Sequence, residues 1–388
     1  MNILEAAFLG ALALVAYTYV LFPLLVVARA RWRPRPPRTA DITPPVSVIV
    51  AAHDEAAHIG DRLANLRALD YPPDRLEVVV ASDGSTDGTD AIARERAWPG
   101  VRVLALPRVG KAAALEAAVA AATGEVLVFT DANTAFAPDA VRRLVRPLAD
   151  PAVGGVAGDQ RYRKAAALHA AGTGEAGYWS VDRWLKRLES DAGSTISATG
   201  AIYAIRRPLF QGVPAGVTDD FAVSTSVIAQ GYRLVFAPDA VAYEPVAAGS
   251  GLEFGRKVRI MTRGLRGVWE RRALLDPRRH GFYALQLLSH KVLRRLQVFP
   301  LLVVAVTGPL LWSAGWLYRA VTVAEVVGLT LAMIGAAGRD GAVGRRKLFS
   351  WPFYFCMVNL AALAAVSNLL RGTRIERWEP RRGGPAAA

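Results

Sequence analysis

The sequence predicts an α/β domain, a mostly parallel sheet covered by helices on both faces, joined to α-helical transmembrane segments. Two observations predict it. Across residues 44–275, short apolar runs rich in β-branched residues alternate with stretches of helical spacing. On either side of that middle lie apolar stretches close to the ~20 residues that cross a bilayer core. Ala6–Ala28, Val298–Tyr318 and Leu348–Leu370 carry no charge, and Ala320–Gly338 carries only Glu325.

Residues 1–28 read as a membrane anchor rather than a cleaved leader. No Lys or Arg precedes the apolar run, which is too long for a leader's apolar region. Residues 29–44 follow as a stiff linker in which Arg29, Arg31, Arg33, Arg35 and Arg38 interleave with Pro34, Pro36 and Pro37. Positive charge beside a span marks the cytosolic side, so the middle domain, residues 45–275, is expected in the cytosol. Within it the spacing predicts strands at Val46–Ala51, Glu77–Ala81, Val101–Leu106 and Glu125–Thr130. Helices are predicted between them: Ala56–Ala68 on the spacing of Ile59, Leu63 and Leu66, then Gly88–Ala97, the alanine-rich Lys111–Ala122, and Pro138–Leu148 with proline in its first turn. A strand at Ile202–Ile205 and a helix at Phe221–Gln230 come later. Residues 276–297 are expected to form an amphipathic helix at the membrane surface, because leucines alternate there with His290, Lys291, Arg294 and Arg295. Residues 298–370 are expected to be transmembrane or re-entrant helices, and 371–388 a basic tail. Three crossings after a cytosolic domain leave that tail outside. Yet Arg371, Arg374, Arg377, Arg381 and Arg382 belong inside, so one segment is expected not to cross. Leu348–Leu370, with Pro352, Asn359 and Asn368, is the least span-like of them.

Composition narrows the function. The chain has 388 residues and a formal net charge of +14 from 47 Lys and Arg against 33 Asp and Glu. A hydrophobic content of 53% excludes a disordered chain, and a single cysteine, Cys356, excludes a disulfide scaffold. Much of the basic charge sits beside apolar segments, where anionic lipid headgroups account for it and a nucleic-acid partner is not needed. The loops of the middle domain lack a G-x-G-x-x-G fingerprint, and Gly110-Lys111-Ala112 lacks the Ser/Thr of a P-loop. A dinucleotide dehydrogenase and a P-loop ATPase are therefore disfavoured.

Ligands of open α/β sheets bind beyond the carboxyl ends of the strands. The polar residues of this domain gather there: His53, Asp54 and Glu55 after the first strand, Ser82-Asp83-Gly84-Ser85 after the second, Gly110-Lys111 after the third, and Asp131-Ala132-Asn133 after the fourth. Asp131 and Asn133, if extended, point the same way and offer two oxygens to Mg²⁺ or Mn²⁺. Taken alone, the pair reads more readily as an Asx turn. Asp83 reads either as a tight turn or as an acceptor for a nucleobase N–H. Lys111 at a helix start suits a diphosphate, although any single lysine is by default solvated. Joint occurrence on successive loops favours the site. Further on, Thr199-Gly200-Ala201 leads into a strand, and Thr218-Asp219-Asp220 opens a helix with Asp219 expected to cap it and Asp220 to reach inward as a general base.

In this order the motifs resemble the family 2 glycosyltransferases, and more narrowly the membrane-embedded branch of cellulose, chitin and hyaluronan synthases. The resemblance covers residues 44–275. It implies a GT-A fold, inversion at the sugar's anomeric centre, a UDP-sugar donor, and a Mg²⁺ or Mn²⁺ ion. It also implies a glycan or lipid-linked acceptor, a place in cell-surface polysaccharide synthesis, and a site in the membrane, which the Arg- and Ala-rich composition suggests is bacterial. By position, Ala52, His53 and Glu55 match the loop on the nucleotide base, and Asp83 the uracil-binding Asp. Lys111 matches the lysine near the diphosphate, Asp131 and Asn133 the D-x-D motif, and Asp220 the final Asp of T-E-D, the base. Three departures stand out. Asn133 replaces an Asp, Asp219 replaces a Glu, and the Q-x-x-R-W motif of processive synthases is absent. Arg263, Arg266 and Trp269 stand in its neighbourhood with different spacing, on the acceptor and diphosphate side. Arg371-Gly372-Thr373-Arg374 faintly resembles the W-G-T-R segment of chitin and hyaluronan synthases. Single-sugar transfer to a polyprenyl phosphate or glycolipid is the alternative within the class. A catalytically inactive scaffold that binds sugar nucleotides is the alternative outside it.

Overall fold

The computed structural model describes residues 2–162, 170–244, 250–339 and 341–373. They fall into two compact units. One, within residues 33–164 and 186–246, holds an eight-stranded sheet. Its strands are β1 (Val46–Ala52), β2 (Leu76–Asp83), β3 (Val101–Leu106), β4 (Val126–Asp131), β5 (Ala135–Phe136), β6 (Val153–Tyr162), β7 (Tyr203–Arg206) and β8 (Arg233–Glu244), in the spatial order β3-β2-β1-β4-β7-β6-β8-β5. Every residue of β1 is buried, as a central strand covered on both faces requires. Helix Ala56–Arg67 seats Ile59, Leu63 and Leu66 in the same core as Val46, Val48 and Val50, while helix Lys111–Ala121 packs on β1 and β2.

The sheet is mostly parallel, as expected, with antiparallel members; besides the first four strands, β6 and β8 also pair in parallel. β3, β2, β1 and β4 run parallel, but β7 enters antiparallel to both β4 and β6, and β5 pairs antiparallel with β8. The boundaries expected for the first strands and helices shift by a few residues. Pro138–Leu148 divides into an α-helix at Ala140–Val145 and a 3₁₀ turn at Arg146–Ala149.

The amino ends of the strands are tied by Glu77. Its carboxylate accepts from the Ser47 hydroxyl, from the backbone N–H groups of Thr123 and Gly124, and from Arg102. A Cβ on Gly124 would come within 2.6 Å of the Ser47 nitrogen, so only glycine lets the chain turn into β4 here.

The other unit, within residues 1–32, 165–185 and 247–375, is helical. Among the described residues, three of its helices are long and apolar enough to cross a membrane: Ile3–Trp32, Trp316–Ala337 and Lys347–Leu370. A fourth candidate is a pair, Phe282–Arg295 and Val298–Leu310, bent by 54°. The broken element is therefore this pair. Leu348–Leu370, the segment expected not to cross, lies within an unbroken 24-residue helix that accommodates Pro352. Small residues allow close helix contact: a Cβ on Gly308 would meet Thr322 Oγ1 at 2.5 Å, and one on Gly335 would meet the Phe349 carbonyl at 2.5 Å.

Segment 282–297 is helical but turns much of its polar face inward. Ser289 bonds Tyr17 (2.8 Å), buried His290 lies 3.2 Å from Asp182, and the Arg295 guanidinium lies against Gly264. The tail from residue 374, with Arg374, Arg377, Arg381 and Arg382, lies outside the described residues.

Candidate active site

The carboxyl ends of β1 and β2 are stitched together by short polar contacts. Ala52 is buried beside Ser82 in the ladder. The His53 ring nitrogen Nδ1 sits 2.8 Å from the Asp83 carbonyl oxygen. Asp54 adopts a left-handed φ of 54° and accepts from the Thr86 N–H (2.8 Å), while the Glu55 N–H donates to Thr89 Oγ1 (2.8 Å). The first two loops thus form one wall.

Asp83 closes onto the third loop. Its carboxylate is fully buried and accepts from Val109 N–H (2.6 Å), Gly110 N–H (2.8 Å) and the Arg108 guanidinium. The sequence offered Asp83 as a tight-turn residue or as a nucleobase acceptor. Here the carboxylate gathers residues 108–110. Gly84 makes the approach possible, because its φ is +61° and a Cβ would lie 2.9 Å from the Arg108 nitrogen.

That loop delivers Lys111 at the first turn of its helix. The Lys111 Nζ donates to Asp131 Oδ1 at 2.8 Å and reaches Asp219 Oδ2 at 3.1 Å, with the lysine side chain 14% exposed. Burial pulls the ammonium's pKa down, but Asp131 and Asp219 outweigh it and hold the group well above its ordinary value. Asp131 is the last residue of β4, and Gly200 faces it: a Cβ there would lie 3.2 Å from Asp131 Oδ2. Residues 132–133 form a turn, so the extended spacing expected to align Asn133 with Asp131 does not occur, and Asn133 is exposed.

Asp219 and Asp220 occupy the first turn of helix Asp219–Ala229, after Thr218 in the N-cap position. Asp219 therefore does not cap the helix as expected; it pairs with Lys111. Asp220 Oδ1 accepts from the Phe221 N–H (2.8 Å), and the side chain is half-buried. The structure thus brings Lys111, Asp131, Asp219 and Gly200 together. Arg263, Arg266 and Trp269 lie in the helical unit, on Ser250–Glu270, where Trp269 is exposed with Arg272 over its ring.

Two residues escaped the sequence. Tyr203, on β7, is fully buried, stacks on Phe129 (4.9 Å between centroids), and its hydroxyl has no hydrogen-bond partner among the described residues. Burial first, then Asp219, Asp220 and Asp131, push it well above its ordinary value, so it stays neutral. Arg62 is buried to 2% exposure beneath the end of β4. Its signal was present: residue 62 falls on the stripe of Ile59, Leu63 and Leu66, where a charge is out of place.

Residues 47–213 match the model of glycosyl transferase family 2. The chain carries a family 2 glycosyltransferase domain. An N-acetylglucosaminyltransferase of Mesorhizobium japonicum is 27% identical over 280 residues, 68% of this chain and 62% of the relative. A poly-β-1,6-N-acetyl-D-glucosamine synthase of Staphylococcus aureus is 27% identical over 222 residues, 55% of this chain and 53% of that enzyme. The chain thus spans little more than half the length of these relatives. Among solved structures, the mannosyltransferase PcManGT of Pyrobaculum calidifontis, in complex with GDP-Man and Mn²⁺, is 29% identical. It superposes with a TM-score of 0.72, covering 95% of this chain and 99% of that one. Asp83, Lys111, Asp131 and Gly200 lie inside the matched glycosyltransferase region, and Asp219 and Asp220 follow just after it.

Proposed function

We propose that this glycosyltransferase domain transfers a sugar, with inversion, from a UDP-sugar to a glycan acceptor at a membrane, on the cytosolic face, in the synthesis of a cell-surface polysaccharide. The observation that carries this reading is Lys111 held between Asp131 and Asp219 opposite Gly200 at the carboxyl rim of the sheet. The three apolar helices and the arginines that follow the first support the membrane and the orientation.

The donor set fits a hard divalent cation, because Asp131 Oδ2 is turned to a glycine whose missing Cβ leaves room beside it. Asp131 would hold Mg²⁺ or Mn²⁺, joined by Asn133 only if the exposed turn that carries it swings toward Asp131; the bound ion would offset charge on the departing diphosphate. Lys111 supplies the chain's own positive charge to the same group. Asp220, which the resemblance places as the base, takes the proton from the acceptor hydroxyl as that oxygen attacks C1 from the face opposite the leaving group. The wall of Ala52, His53, Glu55 and Asp83 holds the nucleotide base.

The test is a donor panel with purified full-length protein in detergent: UDP-GlcNAc, UDP-Glc, UDP-Gal and GDP-Man, each with Mn²⁺, Mg²⁺ or chelator, reading nucleotide release and product length. Release from a UDP-sugar that chelator abolishes supports the proposal. Turnover of GDP-Man alone would correct the donor, and turnover indifferent to chelator would remove the metal. The missing Q-x-x-R-W motif favours a second reading, single-sugar transfer to a polyprenyl phosphate or glycolipid. In that case the reaction stops after one sugar and requires added lipid. Nucleotide binding without turnover of any donor would favour a scaffold.

A further inference from the structure

Arg62 lies on helix Ala56–Arg67 and, among the described residues, has no carboxylate within ion-pair distance. Its guanidinium lies over the Phe136 ring, 4.1 Å from the centroid. Nη1 donates to Asn65 Oδ1 (2.7 Å), and Asn65 is itself fixed by two bonds to the Phe136 backbone (2.8 and 2.9 Å). Nη2 donates to Thr130 Oγ1 (2.9 Å), and Thr130 donates onward to the Ala201 carbonyl (2.9 Å). The guanidinium therefore reaches the residue before Asp131 and, through Thr130, the residue after Gly200. Burial lowers its pKa to about 9 and Asp131 pulls back, so it is cationic at neutral pH.

Burying a cation without an adjacent carboxylate is costly, and a methionine would fill the same apolar stripe without that cost. The charge therefore needs a reason, and the balance of the site supplies one. Lys111 and Arg62 stand against Asp131, Asp219 and Asp220, one excess negative charge. Without Arg62 the excess doubles. A more negative site attracts a free divalent cation more strongly and repels a diphosphate more strongly. We propose, resting on the donor-site reading above, that Arg62 is a positioning residue. Its fixed charge behind Asp131 raises affinity for the nucleoside diphosphate, lowers affinity for free metal, and keeps Asp131 and Gly200 in register through Thr130.

The test uses full-length protein in detergent and the variants Arg62→Met, Arg62→Gln and Arg62→Lys, with folding followed by thermal unfolding. Mn²⁺ alone is titrated by electron paramagnetic resonance, and UDP is titrated calorimetrically in chelator. Loss of the charge should tighten free Mn²⁺ and weaken UDP, each on the order of tenfold, the effect of one unit charge across partly polarisable protein. Arg62→Lys should return both toward wild type. Opposite signs are the signature, since a merely structural role weakens both ligands together. Parallel losses, or no change in either, overturn the proposal; should Arg62→Met not fold, Arg62→Gln carries the same loss of charge. Wild-type protein that binds neither Mn²⁺ nor UDP would overturn the donor-site reading and this proposal with it. Wild-type binding with parallel losses overturns this proposal alone.

Discussion

Replacing Lys111 by Met removes one charge at nearly constant shape and tests the centre of the site. The lysine holds two carboxylates, at 2.8 Å and 3.1 Å. At the effective dielectric of a protein surface, those distances correspond to gross attractions of about 6 and about 5 kcal/mol, most of which desolvation cancels. Breaking a fully buried pair costs roughly 3–5 kcal/mol, and with Asp131 31% exposed the lower end applies, so stability should fall by about 3 kcal/mol. The catalytic effect is separate. A preorganised cation or donor facing developing charge contributes roughly 10²–10³ in kcat. The assay is nucleotide release from the accepted donor at saturation, below the variant's own Tm, alongside nucleotide affinity. Lys111→Arg should retain nucleotide affinity and part of the rate, because the charge remains. A Lys111→Met protein that is folded and turns over within about fivefold of wild type would refute the role assigned to this cation.

Three further outcomes follow from the same geometry. Asp220→Asn should lower kcat by at least about a hundredfold while nucleotide affinity stays within a fewfold, checked by turnover against calorimetry; equal losses in both would take Asp220 out of the base role. Gly200→Ala places a Cβ 3.2 Å from Asp131 Oδ2 and should weaken Mn²⁺ binding by about tenfold with little change in Tm, read by Mn²⁺ paramagnetic resonance. Glu77→Gln tests the far end of the sheet. Burial pushes the Glu77 carboxyl up, but the Ser47 hydroxyl and the Thr123 and Gly124 amides outweigh it and hold it below the ordinary value. A depressed folded value gives stability that is present above the unfolded value near 4.3 and lost as pH falls through the folded one. The variant should therefore be about 2 kcal/mol less stable at pH 7, and the gap to wild type should close in acid.

How much of this was legible depends on whether the signal is local. The first four strands and their helices are written in local periodicity, since Val46–Ala52 and Leu76–Asp83 are buried on both faces and Ile59, Leu63 and Leu66 share one stripe. Lys111, Asp131 and Gly200 were legible as loop residues at one rim. Their contacts were not, because a lysine that bridges Asp131 to Asp219 joins residues over a hundred positions apart. The contacts of Asp83 were hidden for a related reason: the amides that donate to its carboxylate come from Val109 and Gly110, on another loop. Asn133 shows a limit of period-based reasoning, since two residues share a face only while the backbone stays extended, and β4 ends at Asp131. In the helical unit, hydropathy marked the apolar stretches. It could not show that the break falls between Phe282 and Leu310, where packing decides.

The antiparallel strand, which the sequence did not disclose, is also what assembles the site. β4 runs toward the rim and ends in Asp131. β7 pairs with it in the opposite sense, Phe129 opposite Tyr203 and Val126 opposite Arg206, so β7 starts where β4 stops. Its approach, Thr199-Gly200-Ala201, is thereby laid beside Asp131, and Tyr203 is placed at the same depth as Phe129. A parallel β7 would have put its carboxyl end at this rim and carried Gly200 to the opposite edge, beside the Glu77 lock, where no acid of the site lies. The reversal of one strand therefore converts a row of separate βα loops into a cleft with two sides. One side is Lys111 and Asp131 from the parallel half. The other is Gly200, and helix Asp219–Ala229 extends it with Asp219, whose carboxylate closes on the same lysine at 3.1 Å.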